Sequence, residues 1–146
     1  MTAVELEPLT PDDVRAVCEL RLAPGQEHFV APPAVSIAEA YVHPQAWCRA
    51  VRSGGELVGF VMLWDSAEPP GHVLWRLMVD ASAQRRGIGK QVVALVAEHV
   101  RAQGATVLKV SAHDGDGSPA PFYLSLGFVP TGEMAGDDEP VYALTL

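Results

Sequence analysis

Residues 84–90, with the sequence QRRGIGK, combine the residue types that most directly suggest a chemical role. Gly87 and Gly89 carry no Cβ, so the backbone can turn tightly there and approach a ligand closely. An apolar stripe at helical spacing follows, and the first turn of a helix presents unpaired N–H groups and a positive dipole end. The basic side chains of the segment add charge that suits phosphate oxygens. The segment therefore predicts an anion-binding turn at the start of a helix.

Two interpretations of this turn are open from its own residues. It can bind phosphate, or it can be a plain tight turn followed by a solvated, basic helix start. A P-loop is excluded, because that motif has four residues between its glycines and a Lys-Ser or Lys-Thr pair. The dinucleotide fingerprint is excluded because Gln91, Val92 and Val93 follow Lys90 and supply no third glycine. The turn alone indicates an anion without identifying it.

A tyrosine on a short helix is the second candidate for chemistry. Ser118 can cap a helix that begins at Pro119 and ends at Gly127, and Tyr123 lies within it. A phenol has an ordinary pKa of about 10, so Tyr123 is protonated at neutral pH and can donate a proton. The alternative is that Tyr123 packs as an ordinary helical aromatic.

The elements that must position these residues follow from the periodicity of the chain. No repeat or linker divides the sequence, so we expect a single α+β domain over residues 1–146, with a βαβ unit at its centre. Ser36 and Glu39 form a capping box that is predicted to open the second helix. The predicted strands are 4–9, 47–52, 57–64, 72–79, 106–111, 128–131 and 140–146, and the predicted helices are about 10–22, 36–42, 88–103 and 119–127.

Composition and charge narrow the class of protein. The chain has 146 residues, of which 49% are hydrophobic and 19% are charged, as in a soluble globular protein. Its net charge of −8 argues against a nucleic-acid surface, since phosphate binding needs clustered Lys and Arg. An acidic balance suits a cationic substrate such as an amine, although solubility alone is the simpler explanation.

Three further roles are not expected from the sequence. The most apolar window, residues 57–64, is too short to span a bilayer. The N-terminus lacks a basic region and an apolar core, so we expect a cytoplasmic protein in which Cys18 and Cys48 are reduced. No metal site is expected, because the histidines lack metal-ligand spacing. They are His28, His43, His72, His99 and His113.

Three segments taken together resemble a known family. The strand at 74–79 (LWRLMV), the turn at 84–90 and the segment 122–128 (FYLSLGF) are similar, in order and separation, to the GNAT superfamily of N-acetyltransferases. The similarity extends over essentially the whole chain. Residues 24–32 (PGQEHFVAP) and 36–41 (SIAEAY) also resemble the N-terminal segment of the bacterial spermine/spermidine acetyltransferase branch.

The resemblance implies a fold and a cosubstrate. The fold is a central, mostly antiparallel twisted sheet with flanking helices, in which two neighbouring parallel strands splay apart. The cosubstrate is acetyl-CoA, with its pantetheine arm in the gap between those strands and its pyrophosphate on the turn. Asp116 stands where family members often carry an asparagine that reaches the cofactor. The implied cofactor-binding residues are Met78 and Val79, through their backbone groups, with Gln84, Arg85, Arg86, Gly87, Ile88, Gly89, Lys90 and Asp116.

The resemblance also implies a reaction, in which a primary amine attacks acetyl-CoA directly and takes its acetyl group. The best-matching acceptor is a polyamine such as spermidine or spermine. Tyr123 is the implied general acid for the departing thiolate. Glu27 is the leading candidate for acceptor contact, because a carboxylate pairs with an ammonium group. A solvated loop glutamate is the alternative for Glu27, and a homodimer is implied for the chain.

Two alternatives to this function remain open. The acceptor can be another small amine, such as an amino acid or an aminoglycoside-like drug, or a protein amino group. The chain can also be a non-catalytic module that binds acetyl-CoA as a sensor. Tyr123 favours catalysis, because a sensor needs only the pyrophosphate turn.

Overall fold

The computed structural model describes residues 3–27 and 29–146, and seven strands within them form one mixed sheet. Numbered along the chain, the strands are β1 (Val4–Pro8), β2 (Ala46–Ser53), β3 (Glu56–Trp64), β4 (Val73–Val79), β5 (Val107–Ser111), β6 (Val129–Ala135) and β7 (Glu139–Thr145). Their order across the sheet is β1-β2-β3-β4-β5-β7-β6, and all neighbours are antiparallel except β4 and β5. The helices are α1 (Asp13–Cys18), α2 (Pro33–Val42), α3 (Ile88–Arg101) and α4 (Ala120–Ser125). The predicted α+β class, with a mostly antiparallel sheet and one parallel pair, is confirmed.

Helices α3 and α4 pack on one face of the sheet, and α1 and α2 pack on the other. The apolar stripe predicted for α3 is confirmed, because its side chains are buried in the larger core cluster. These side chains are Ile88, Val92, Val96 and Val100. Val17 of α1 is buried with Phe60 and Met62 on the opposite face. Burying each large apolar side chain contributes roughly 1.5–3 kcal/mol, so the sheet is held from both sides.

Helix α2 begins at Pro33, before the predicted capping box. Proline suits the first position of a helix, because its missing N–H has no partner there in any case. Ser36 and Glu39 do not cap the helix; both accept hydrogen bonds from Nη1 of Arg76, at 3.0 and 2.7 Å. The predicted start is wrong because these two residues bind the sheet, which a local sequence pattern does not reveal.

Helix α1 ends at Cys18, short of the predicted end near Leu22. The N–H of Arg21 donates to Oδ1 of Asp80 at 2.8 Å, and its carbonyl accepts from the N–H of Ala81 at 2.7 Å. Both main-chain groups that a longer helix would use are therefore bonded to the segment after β4. Long-range hydrogen bonds override the helical pattern at this point.

An extra residue interrupts the pairing of β3 with β4. Met62 pairs with Arg76 and Leu63 pairs with Leu74, so Trp75 has no partner on β3 and forms a β-bulge. As a result Trp75 and Arg76 both lie on the face that α2 covers. A bulge bends its strand and increases the local twist.

The parallel strands β4 and β5 stay paired at only two positions, Val73 with Lys109 and Leu74 with Val110. Strand β4 continues past this point to Val79. Because the bulge bends β4 where the pairing stops, a gap opens between the two strands. This gap corresponds to the splayed parallel pair that the family resemblance implies.

A partly buried ionic cluster ties the end of β3 to the end of α3. Asp65 accepts hydrogen bonds from Nε2 of His99 at 2.8 Å and from Nε2 of Gln103 at 3.0 Å. Nδ1 of His72 lies 3.0 Å from Asp65 but outside hydrogen-bonding geometry. Burial raises the pKa of Asp65. The hydrogen bonds from His99 and Gln103 and the nearby imidazoles lower it by a larger amount, so the pKa lies below its usual range.

Candidate active site

A cleft of about 380 Å³ lies beside the gap, between the end of β4, the turn before α3, helix α4 and the loop after α1. Most of the sequence-predicted site residues line it. They are Met78, Val79, Gln84, Arg85, Gly87, Ile88, Gly89, Lys90 and Tyr123. Glu27, Arg86 and Asp116 lie outside the lining. The structure thus brings the turn, the strand end and the tyrosine together.

The turn between β4 and α3 depends on two residues in the left-handed region of backbone conformation. Arg85 has φ 65° and Gly87 has φ 74°. The left-handed conformation costs a residue with a Cβ roughly 1–2 kcal/mol, a cost that Gly87 avoids. A Cβ on Gly89 would lie 3.1 Å from the ring of Phe122, so this glycine lets α4 approach the start of α3 closely.

The first turn of α3 supplies donors to the cleft. Gly87 is the N-cap and has no side chain to bond the first amides of the helix, so the N–H groups of Ile88, Gly89 and Lys90 have no helical partner. These residues line the cleft. Arg85 and Lys90 are the charged residues of the described lining, which contains no carboxylate. The cleft therefore suits an anion at this end.

The other two predicted cofactor contacts lie outside the cleft. Arg86 is exposed, and its Nε donates to the carbonyl of Ala83 at 3.4 Å. Asp116 is exposed in the loop before α4. Its carboxylate lies outside the lining, although the next residue, Gly117, is part of it. Contacts from Arg86 and Asp116 to the cofactor remain predictions.

Two hydrogen bonds fix which main-chain groups of β4 face the gap. The carbonyl of His72 accepts from the N–H of Lys109 on β5 at 3.0 Å, so strict alternation would turn the even-numbered residues of β4 toward β5. The bulge reverses this order. The N–H of Asp80 donates to the carbonyl of Val58 on β3 at 2.8 Å, so beyond the bulge the even-numbered residues face β3.

The main-chain groups that face the gap are therefore those of Leu77 and Val79. A Cβ on Gly59 of β3 would collide with the carbonyl oxygen of Met78, which agrees with a Met78 main chain turned toward β3. Met78 lines the cleft with its side chain, and the expectation that its backbone faces the cofactor does not fit this geometry. Leu77 was missed from the sequence, because nothing in the sequence marks the bulge that turns it toward the gap.

Tyr123 is 5% exposed and packs edge-on against Phe122 and Phe128, with ring centroids 5.1 and 5.4 Å away. Burial raises the pKa of its phenol above the ordinary value of about 10. No described residue forms a hydrogen bond with its hydroxyl group. Tyr123 therefore offers the cleft a neutral phenol whose hydroxyl has no hydrogen-bond partner among residues 3–27 and 29–146.

Glu27 is exposed on the loop after α1, and its Oε2 accepts from the N–H of Gly25 at 3.0 Å. Its neighbours on the loop, Gln26 and Phe29, line the cleft instead. The sequence did not predict Gln26 and Phe29 as site residues. Glu27 was chosen for its charge, and the sequence does not show which side chains of the loop point into the cleft. The role of Glu27 toward the acceptor remains a prediction.

No helix within residues 3–27 and 29–146 is both long and apolar enough to cross a bilayer. The same residues contain no group of three or more His, Cys, Asp or Glu side chains placed to hold a metal ion. His28, one of the five histidines, lies outside the described residues.

Comparison with known proteins decides the family. Residues 14–128 match the model of the Acetyltransferase (GNAT) family. The chain belongs to the GNAT acetyltransferase family. This acetyltransferase is 30% identical over 100 residues to N-acetyltransferase family 8 member 2 of Rattus norvegicus, a match that covers 66% of this chain and 44% of that relative. The chain thus spans less than half the length of this relative.

Solved structures of other acetyltransferases share the fold. The PaiA N-acetyltransferase of Thermoplasma acidophilum, in complex with coenzyme A, has a TM-score of 0.74 at 14% identity, over 99% of each chain. An aminoglycoside 6'-N-acetyltransferase complexed with coenzyme A has a TM-score of 0.74 at 18% identity, over 97% of this chain and 96% of that chain. At these identities the likeness concerns the fold alone.

Proposed function

We propose that this acetyltransferase moves an acetyl group from acetyl-CoA to the nitrogen of a primary amine by direct attack. The observation that carries the proposal is that a basic turn with unpaired helix N–H groups, the end of a splayed strand and a buried phenol line one cleft. The two structural relatives crystallised with coenzyme A support the choice of cosubstrate. A sensor would have no use for the buried Tyr123 beside the gap.

The residues of the cleft fit acetyl-CoA in two places. The first-turn N–H groups of α3, with Arg85 and Lys90, would bind the pyrophosphate. The main-chain groups of Leu77 and the N–H of Val79 face the gap and would hydrogen-bond the pantetheine amides, since the Val79 carbonyl accepts from Gln84. The ring of Phe122 packs against Gly89, so α4 closes the side of the turn at the start of α3.

Tyr123 would act on the departing sulfur. The amine nitrogen forms the new C–N bond as the C–S bond breaks, and the proton that nitrogen loses balances the one that sulfur takes up. A thiol has an ordinary pKa of about 8.5, whereas burial raises the pKa of the Tyr123 phenol above about 10. Complete transfer of the phenol proton to sulfur is therefore uphill. We infer that Tyr123 stabilises the thiolate as a hydrogen-bond donor and regains any proton it gives from the one released by the amine.

A polyamine is the acceptor that we propose first. The net charge of −8 is compatible with a cationic substrate, and Glu27 lies on the loop that borders the cleft. Because the described lining has no carboxylate, a second ammonium group would need Glu27 or another acid outside the cleft. An aminoglycoside is the second candidate, since one structural relative is named for that acceptor.

The proposal is tested by measuring coenzyme A release, through thiol titration, across polyamines, amino acids and an aminoglycoside. We expect release with at least one primary amine, and fastest release with spermidine or spermine. Binding of acetyl-CoA without release for any amine would favour the sensor. Release with amino acids or aminoglycosides only would refute the polyamine and keep the acetyl transfer.

A homodimer, a cytoplasmic location and a single domain stay predictions. Analytical ultracentrifugation would test the homodimer.

A further inference from the structure

The loop after α1 forms one wall of the cleft. We call residues 21–27 and 29–30 the cleft loop; Leu22, Gln26, Phe29 and Val30 of this loop line the cleft. Its first residue is held by the two hydrogen bonds from Arg21 to the segment after β4. Beyond that point the loop bonds mainly within itself, since the N–H of Phe29 donates to the carbonyl of Gln26 at 3.0 Å. A further contact is therefore needed to hold the cleft loop against the turn at 84–90.

A pair of side-chain amides supplies that contact. Nε2 of Gln84 donates to Oε1 of Gln26 at 2.9 Å and to the carbonyl of Val79 at 3.0 Å. Oε1 of Gln26 also accepts from the N–H of Ala23 at 3.2 Å, and its Nε2 lies 3.4 Å from Oε1 of Gln84. The pair joins the middle of the cleft loop to the first residue of the turn and the last residue of β4.

The chemistry of the pair is unambiguous because a backbone group fixes each amide. A carbonyl can only accept, so the atom of Gln84 that meets Val79 must be Nε2. A backbone N–H can only donate, so the atom of Gln26 that meets Ala23 must be Oε1. Gln26 therefore acts chiefly as an acceptor, and Gln84 as a donor.

The far side of the cleft loop rests on the loop before α4. A Cβ on Gly117 would lie 3.1 Å from the carbonyl oxygen of Gly25 and 3.5 Å from the ring of Phe29. Gly117 itself lines the cleft, as do the residues that lead to Tyr123. The cleft loop thus contacts both the turn at 84–90 and the loop before α4. A shift of the cleft loop would therefore change the width of the cleft.

We infer that Gln26 is a positioning residue for acetyl transfer, an inference that rests on the proposed function. Through Gln84 it fixes the cleft loop at the carbonyl of Val79, beside the gap that would hold the pantetheine arm. The loop wall then stands at a set distance from the acetyl group, and the acceptor binds between the two. The pyrophosphate end of the site is held by the backbone of the turn and does not depend on Gln26.

The test compares two replacements of Gln26 in the full chain. Gln26→Met keeps the length of the side chain and removes every hydrogen bond. Gln26→Glu keeps an oxygen acceptor for Ala23 and Gln84, which are its two shorter bonds. Gln84→Glu is the converse, because a carboxylate cannot donate to the Val79 carbonyl. Gln45→Met, at an exposed position outside the cleft, is the matched control.

We expect Gln26→Met to lower kcat/KM for the amine by about 3- to 10-fold, the effect of losing one net hydrogen bond. The Kd for acetyl-CoA, measured by calorimetry, should change less than about twofold. Gln26→Glu should restore most of kcat/KM, whereas Gln84→Glu should lower it at least as much as Gln26→Met. The double variant Gln26→Met with Gln84→Met should be no worse than the Gln84→Met variant alone, because replacing Gln84 already removes the contact through which Gln26 acts.

Three results would overturn the inference. They are wild-type kcat/KM for Gln26→Met, equal losses for Gln26→Glu and Gln26→Met, and additive losses in the double variant. Each of them leaves the acetyl transfer itself intact, because wild-type turnover is measured in the same assay. A wild-type chain that binds acetyl-CoA and acetylates no amine would refute the proposed function and the positioning role together.

Discussion

Replacing Tyr123 by Phe isolates the single hydroxyl group on which the proposed chemistry depends. No described residue bonds that hydroxyl, so its removal leaves no buried partner unsatisfied, and the ring keeps its contacts with Phe122 and Phe128. The variant should therefore fold with nearly unchanged stability. The Kd for acetyl-CoA should also stay close to the wild-type value, because in the proposed site the turn and β4 would hold the cofactor.

The loss should appear in turnover. A hydrogen bond to a charged group contributes about 1.5–3 kcal/mol, so losing the bond from Tyr123 to the thiolate should lower kcat by about 10- to 150-fold. The assay is steady-state release of coenzyme A with saturating amine, beside calorimetry with acetyl-CoA. Unchanged kcat, or a fall explained by weaker cofactor binding, would refute the role of Tyr123.

The pH profile gives an independent check on the same residue. Burial raises the pKa of Tyr123, so the phenol stays protonated up to and beyond about pH 10. We expect no alkaline limb from Tyr123 between pH 7 and 10 in the kcat profile of the wild-type chain. A wild-type limb in that range that disappears in Tyr123→Phe would show that the phenol titrates within that range and would contradict a raised pKa.

Three other substitutions test the turn before α3, the ionic cluster at Asp65 and the cleft loop. Gly89→Ala puts a Cβ 3.1 Å from Phe122 and should weaken acetyl-CoA binding about tenfold by calorimetry, and unchanged affinity would contradict this account. Asp65→Asn should lower the free energy of unfolding by about 1–3 kcal/mol at pH 7, measured with denaturant, because the bond from His99 loses its charge. Because the pKa of Asp65 is lowered in the folded chain, its carboxylate stabilises the fold at pH values above the unfolded pKa of about 3.9. This stabilisation is lost as the pH falls through the folded pKa, and that loss of stability should be absent in Asp65→Asn. Glu27→Gln should raise the KM for a polyamine several-fold and leave the Kd for acetyl-CoA unchanged; an unchanged KM would remove Glu27 from the acceptor site.

Local patterns in the sequence predicted the parts of the fold that depend on local physics. The stripe of α3 is buried as its period requires, and the glycine turn before it has the left-handed residue that such a turn needs. Both features are properties of a few consecutive residues. The turn, Tyr123 and the end of β4 were also placed at one cleft correctly, because the resemblance supplied the long-range order.

The features that the sequence did not predict depend on partners far along the chain. Ser36 and Glu39 look like a cap but bind Arg76 of the sheet. Gln26 looks like an ordinary loop residue until Gln84, in the turn, is placed beside it. Such pairs have no local signature, because the same residues would form other bonds in another fold.

The bulge at Trp75 acts as a phase shift in β4. If the same residues paired with β3 without a bulge, Arg76 would face the apolar core under α3, and the main chain of Met78 in place of Leu77 and Val79 would meet the gap. Residues 76–79 should therefore accept conservative substitutions more readily than the loss of one residue. Loss of one of them while the bulge stays in place would invert the side chains and amides that follow it, so the length of β4 after the bulge is itself part of the site.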